Sequence, residues 1–146
     1  MSDIRFTEHL IHDGYTYSFG LSTADLTGTG SLDLISTDTD VGLYWFENDG
    51  DGNFTHHVIH ERTGEWLERH TIADLNGDGR LDVAASSWRI GRQFAWFENR
   101  EGQWVKHMIE DNVGETRAIH ALDIDGDGRR DLLGTTCTRT ELKRYR

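Results

Sequence analysis

The sequence predicts an all-β chain in which one unit of about 49 residues recurs three times, and three observations carry that reading. An acidic, glycine-rich loop starts at Asp25, Asp74 and Asp123, 49 residues apart both times. Flanking motifs return in the same order. Trp45-Phe46-Glu47-Asn48 recurs as Trp96-Phe97-Glu98-Asn99, and Asn53-Phe54-Thr55-His56-His57-Val58-Ile59-His60 has counterparts in Arg5 to His12 and Gln103 to Glu110. No segment sustains the 3.6-residue spacing of an amphipathic helix, so helix should be minimal.

Each unit resolves into four short strands, here A to D. Strand A ends in the acidic loop (residues 70–74), B leaves it (81–86), C is the aromatic segment (94–97) and D is aromatic and β-branched (54–59). Such runs, bounded by Gly, Asp and Asn, read as strands and turns. Four strands in roughly 45–50 residues is the period of a β-propeller blade. Residues 5–12 read as a D-type strand, A-B-C-D follows twice, and a third A-B closes with a short C-like strand at 142–145. The expectation is therefore one repeat domain over residues 1–146, with units at about 5–52, 53–102 and 103–146 and four-stranded blades, the last without its outer strand. Propellers close with about 4 to 8 blades. Three need completing, and the expected assembly is a head-to-tail homodimer whose six-bladed ring uses each N-terminal strand to finish the partner's last blade. The competing expectation is a piece of a longer propeller with open edges.

Composition narrows the function classes. With 146 residues, 36% hydrophobic and 10% aromatic, the chain has material for a packed core. Its 26 acidic against 15 basic residues give a net charge of −11, which argues against nucleic acid or anionic lipid as a partner. The single cysteine, Cys137, offers no disulfide and no zinc pattern, and reads as a small strand residue rather than a nucleophile. No leader-like apolar region opens the sequence and no run approaches the roughly 18 apolar residues of a membrane span. A soluble protein is expected, cytoplasmic as written or secreted had a signal been trimmed.

The acidic loops carry the clearest chemistry. In Asp74-Leu75-Asn76-Gly77-Asp78-Gly79-Arg80-Leu81-Asp82, oxygen-bearing side chains fall at positions 1, 3, 5 and 9, with glycine at 6 for the tight turn. Calcium takes about 6–8 oxygens at about 2.3–2.6 Å, which a curled loop of alternating side chains can supply, whereas magnesium demands a stiffer octahedron. An EF-hand would need glutamate at position 12 and flanking helices. Ala85 and Gly134 stand there instead, and the flanks are strand-like. In the first loop Thr27 and Thr29 replace the acids, so Asp25–Asp33 is expected to hold no ion, giving two calcium ions per chain.

The loop, together with Trp-Phe-Glu-Asn and Phe-Thr-x-His-x-Ile, resembles the integrin-type FG-GAP/VCBS repeat family over nearly the whole chain. That resemblance implies calcium-loop blades in proteins that bind other proteins or glycans, and in some carbohydrate-active enzymes. Carried over, the implied ligands are Asp74, Asn76, Asp78, the Arg80 carbonyl and Asp82, then Asp123, Asp125, Asp127, the Arg129 carbonyl and Asp131.

In blade order the A–B loops share one face, and the D–A and B–C loops the other. The second face should carry Tyr15, Tyr17, Trp66, Glu68, Arg69, His70, Trp88, Arg89, Arg92 and Arg117, a basic and aromatic set on an acidic chain. Tyr17, Trp66, Arg69, His70, Trp88 and Arg117 are the ligand-binding candidates, suited to an anionic glycan or an acidic protein surface. The first expectation is a calcium-stabilised binding or scaffold module. The second is a polysaccharide lyase or glycoside hydrolase using Tyr17, Glu68, Arg69 or His70 as acid or base. His9, His57 and His107 share one repeat position, which marks them as structural, and Trp45, Trp96 and Trp104 read as core.

Overall fold

The computed structural model describes residues 4–138 and 140–146. Among these no residue is helical, and eleven strands form three antiparallel sheets in chain order. The first sheet holds β1 (Ser18–Ala24), β2 (Asp33–Asp38), β3 (Gly42–Asn48) and β4 (Phe54–Glu61), each paired with its sequence neighbour. The second repeats that order with β5 (Trp66–Ala73), β6 (Asp82–Trp88), β7 (Phe94–Arg100) and β8 (Gln103–Glu110). The third has β9 (Thr116–Leu122), β10 (Asp131–Thr136) and β11 (Leu142–Tyr145). Four strands in every unit is thus met twice; the third sheet has three. No helix is long and apolar enough to cross a membrane among the described residues.

One expected strand does not form. Residues 5–12 repeat the sequence of β4 and β8 yet adopt no strand, and Phe6 and Leu10 are almost wholly exposed. A strand exists only when an edge accepts its backbone N–H and C=O groups, so β-propensity alone does not make one. At the end of the segment His12 packs against the rings of Tyr15, Phe46 and His56 at 4.9–5.3 Å, stacked on His56 at 5.1 Å.

The second sheet is the middle layer and is buried on both faces. Alternation along β6 sends Val83 and Ala85 into a core with Ile35, Leu43, Trp45, Leu67 and Phe97, and Ala84 into a second core with Phe94, Val113, Ile119 and Leu132. β1, β2 and β3 pack on β5, and β5 and β6 pack on β9, while no comparable contact joins the first sheet to the third. The sheets therefore form an open arc with β1, β5 and β9 as its inner strands.

Repeated residues do the same work in each sheet. Trp45 lies opposite His57 across β3 and β4 with rings 4.4 Å apart, and Trp96 lies opposite His107 in the same way at 4.4 Å. Each histidine reaches a glutamate of the neighbouring strand, Glu47 at 2.9 Å and Glu98 at 2.8 Å. His57 and His107 are structural, as the repeat implied; His9 belongs to the unpaired segment.

Close packing of the second and third sheets depends on Gly134 of β10. A Cβ there would lie 2.5 Å from Cζ of Phe94, a fully buried ring. Gly134→Ala is expected to destabilise the fold by about 1–3 kcal/mol, the usual cost of overpacking. Urea unfolding measures it, and Phe94→Leu in the same chain should recover part of the loss.

Candidate metal centres and the opposite end

The acidic loops join β1 to β2, β5 to β6 and β9 to β10, at one end of the sheets. Glycines at positions 4 and 6 take positive φ in all three: 71° and 88°, 79° and 85°, 76° and 87°. Only glycine does this without steric cost. The curl is then closed by the position-1 aspartate. Asp25 accepts N–H of Thr29 and Gly30 at 3.0 and 2.8 Å, Asp74 accepts those of Gly77, Asp78 and Gly79, and Asp123 those of Gly126, Asp127 and Gly128. The first loop makes this turn with Thr27 and Thr29 hydroxyls 3.1 Å apart where the other loops carry metal-type donors. Loop shape therefore comes from backbone hydrogen bonding.

The position-9 aspartate clamps each loop from below. Asp33 accepts the N–H of Leu26 at 2.9 Å and of Asn48 at 2.9 Å, and Asp82 those of Leu75 at 3.1 Å and Asn99 at 2.9 Å. Both carboxylates are fully buried. Asp131 accepts from Ile124 at 3.2 Å, and where the other sheets present an asparagine N–H it receives Arg144 Nη2 at 2.6 Å. That difference shows in acidity: burial pushes Asp82 above the usual carboxylate range, while hydrogen bonding from Arg144 holds Asp131 below it.

The expected ligands are not brought together equally. Carboxylate oxygens of Asp123, Asp125 and Asp127 lie within 4.8 Å of one another, an oxygen cluster of the kind a hard cation uses. Asp131 stands outside that cluster, and Arg144 bridges it to Asp125 at 2.7 Å. Asp123 and Asp127 have no cation partner among the described residues. In the second loop Asp74, Asp78 and Asp82 do not close to that spacing. Asn76 there donates to Asp78 at 3.1 Å, and the Arg80 N–H, Asn76 amide and Arg80 guanidinium hold Asp78 below the ordinary range. Arg144 and Arg146, which reach the third loop from outside it, carry no sequence signal beyond a cluster of cations near the chain end.

The FG-GAP-like repeat model matches residues 25–85 and 74–134, each match running from one acidic loop through the next. The chain belongs to the FG-GAP-like repeat family. No curated protein matches it.

In this FG-GAP-like chain the β4–β5, β8–β9 and β2–β3, β6–β7, β10–β11 connections lie at the end opposite the acidic loops. They bond to one another: Arg62 N–H to Val41 O, Trp66 N–H to Ile90 O, Val113 N–H to Arg92 O and Cys137 N–H to Glu115 O. Here Arg89 lies 4.1 Å and Arg117 4.5 Å from the Trp88 ring, Arg89 and Arg62 flank Trp66, and Arg69 covers Phe19 at 5.6 Å. Trp88 donates its indole N–H to Glu115 at 3.2 Å. Tyr17 is exposed beside Phe19, and its N–H, with that of Thr16, is held by the buried carboxylate of Asp38. Tyr15 packs against His12 instead, and Arg92 donates to the Arg89 carbonyl. Cys137 falls one residue beyond β10 rather than inside it; it is exposed, and its sulfur accepts Arg117 Nε at 2.8 Å.

Glu68 and His70 differ from this surface set. Glu68 is 1% exposed and its Oε1 has no hydrogen-bond partner. Burial raises its pKa, opposed by Arg117, Arg69 and Arg89. His70 bonds Ser22 Oγ at 2.6 Å through Nε2, while Nδ1 is buried without a partner, and burial pushes the imidazole down to about 4.

Two outcomes follow. Asp33→Ala should destabilise the fold by about 2–6 kcal/mol, since it strands the N–H groups of Leu26 and Asn48 at about 1–3 kcal/mol each, and the loss in thermal or urea unfolding should be the same with and without calcium. For His70 the unfolded ring titrates near 6.5. The folded state binds fewer protons between pH 6.5 and about 4, so stability from this group is complete above pH 6.5 and falls as pH drops through that window, by about 3 kcal/mol in all. The difference in stability between wild type and His70→Asn, followed from pH 7 to pH 4, isolates it from the opposing slope of Glu68.

Proposed function

We propose that this chain is half of a six-bladed, calcium-stabilised β-propeller, completed by a second copy, that serves as a binding or scaffold module. The single observation that carries the reading is the division of labour between the two ends. Acidic loops occupy one, and exposed arginines stacked on Trp66 and Trp88 occupy the other, where a protein or anionic glycan would be met. Calcium would be held by Asp123, Asp125 and Asp127 in the third loop and by Asp74, Asn76 and Asp78 in the second, with the Arg80 and Arg129 carbonyls and the position-9 aspartates completing each set. Its contribution is to neutralise carboxylates gathered on a loop that the backbone already shapes.

Ring closure by a second copy is supported by the open arc, the three-stranded third sheet and the unpaired segment 5–12 with its β4-like sequence. Adding that segment beyond β11 of the other copy would pair an open edge and bury Phe6 and Leu10. The carbohydrate-active reading is favoured by one observation: Glu68 and His70 lie two residues apart, with the acid's pKa raised and the base's lowered. An anionic oligosaccharide that gains ultraviolet absorbance on incubation would mark a lyase; binding without turnover marks the module.

Light scattering should give a mass near twice 16.7 kDa in calcium, and a chelator should lower the melting temperature, the mass, or both. A folded monomer in calcium would overturn ring closure. A melting curve indifferent to the chelator would overturn calcium stabilisation.

A further inference from the structure

The period of 49 places Phe19, Glu68 and Arg117 at one repeat position, and that position is where each inner strand slips register. The pairing of β1 with β2 shifts between Ser18 and Leu21, that of β5 with β6 between Leu67 and Arg69, and that of β9 with β10 between Thr116 and Ala118. A bulge re-aims side chains and recurs beside functional sites. Thr37 ties two of these bulges together, accepting the Gly20 N–H at 2.7 Å and donating to the Glu68 carbonyl at 2.7 Å. The triplets 19–21, 68–70 and 117–119, with His120, line one cavity of about 590 Å³. Its wall is thus the same three positions of all three units.

At their shared position the three units carry an aromatic, an acid and a base, Phe19, Glu68 and Arg117. Two buried polar atoms in that wall, Glu68 Oε1 and His70 Nδ1, have no protein partner, a state native proteins rarely leave unexplained. Gly20 packs close against His70, where a Cβ would stand 2.7 Å from Nδ1. Arg69 and Arg117 are exposed and form no ion pair among the described residues, on a chain of net charge −11. Phe19 and Ile119 supply apolar walls.

We propose that this cavity is a binding site for a hydroxylated carboxylate of monosaccharide size, a uronate-type sugar acid. Its carboxylate is received by Arg69 and Arg117, its hydroxyls by Glu68 and His70, and its C–H face rests on Phe19. Volumes of about 300–1,000 Å³ with a few convergent polar groups are typical of small-ligand sites. The inference deepens the reading of this chain as a binding module and rests on it.

The test is calorimetric titration of the calcium-loaded protein with D-galacturonate, D-galactose and inorganic phosphate. Galacturonate should bind, galactose at least tenfold more weakly, and phosphate more weakly than galacturonate. Arg117→Ala and Glu68→Gln should each weaken galacturonate at least tenfold, Arg117→Lys less than Arg117→Ala, and Arg100→Ala, at the other end of its sheet, not at all; circular dichroism checks that each variant is folded. No galacturonate binding, equal binding of phosphate, or binding untouched by Arg117→Ala and Glu68→Gln in folded protein would overturn the site. Failure of the module reading itself is seen separately, in the mass and chelator measurements, which do not involve this ligand.

Discussion

The structure turns on a buried carboxylate under each acidic loop. Asp33 and Asp82 each accept a loop N–H and an N–H from the third strand of the same sheet, at 2.9–3.1 Å. One side chain thereby fixes the loop, the entry into the second strand and the end of the third. Removing such an acceptor exposes two donors to a site without water, which is why the residue recurs even in the loop that has lost its other acids. Glycines at positive φ and the position-1 aspartate finish the turn. The remaining carboxylates are not needed for the turn, and they are the ones the proposed calcium would meet.

The third sheet shows what happens when part of this scheme is absent. No asparagine of the third strand meets Asp131; Arg144 reaches it from β11 and spans to Asp125. The guanidinium supplies donors and positive charge together, so two of that loop's four carboxylates are satisfied within the chain. Asp123 and Asp127 accept only backbone N–H groups and have no cation partner among the described residues, and they lie with Asp125 in the one tight carboxylate cluster found there.

Much of the frame was legible in the sequence because a repeated position performs one physical task three times. The aspartate spacing located the loops, the repeated histidines read as structural prove to stack on the repeated tryptophans of the next strand, and residues 142–145 form the strand expected of them. Residues 5–12 have the composition of β4 and β8 and still form no strand, because pairing needs an edge that composition does not supply. The position-9 aspartate was read as a metal ligand, and its hydrogen bonds to the loop and the third strand are a second role that spacing does not reveal. The cavity residues Phe19 and His120 went unnoticed although the 49-residue offset aligns Phe19 with Glu68 and Arg117.

If the clamp shapes the loops and calcium answers only their charge, ion binding should be local to each loop and separable from folding. Titrating calcium into chelator-treated protein by calorimetry tests this most directly. Two ions per chain are predicted, one lost in Asp78→Asn and the other in Asp127→Asn, with circular dichroism unchanged in both. No binding, or two ions still bound after either substitution, would contradict the account.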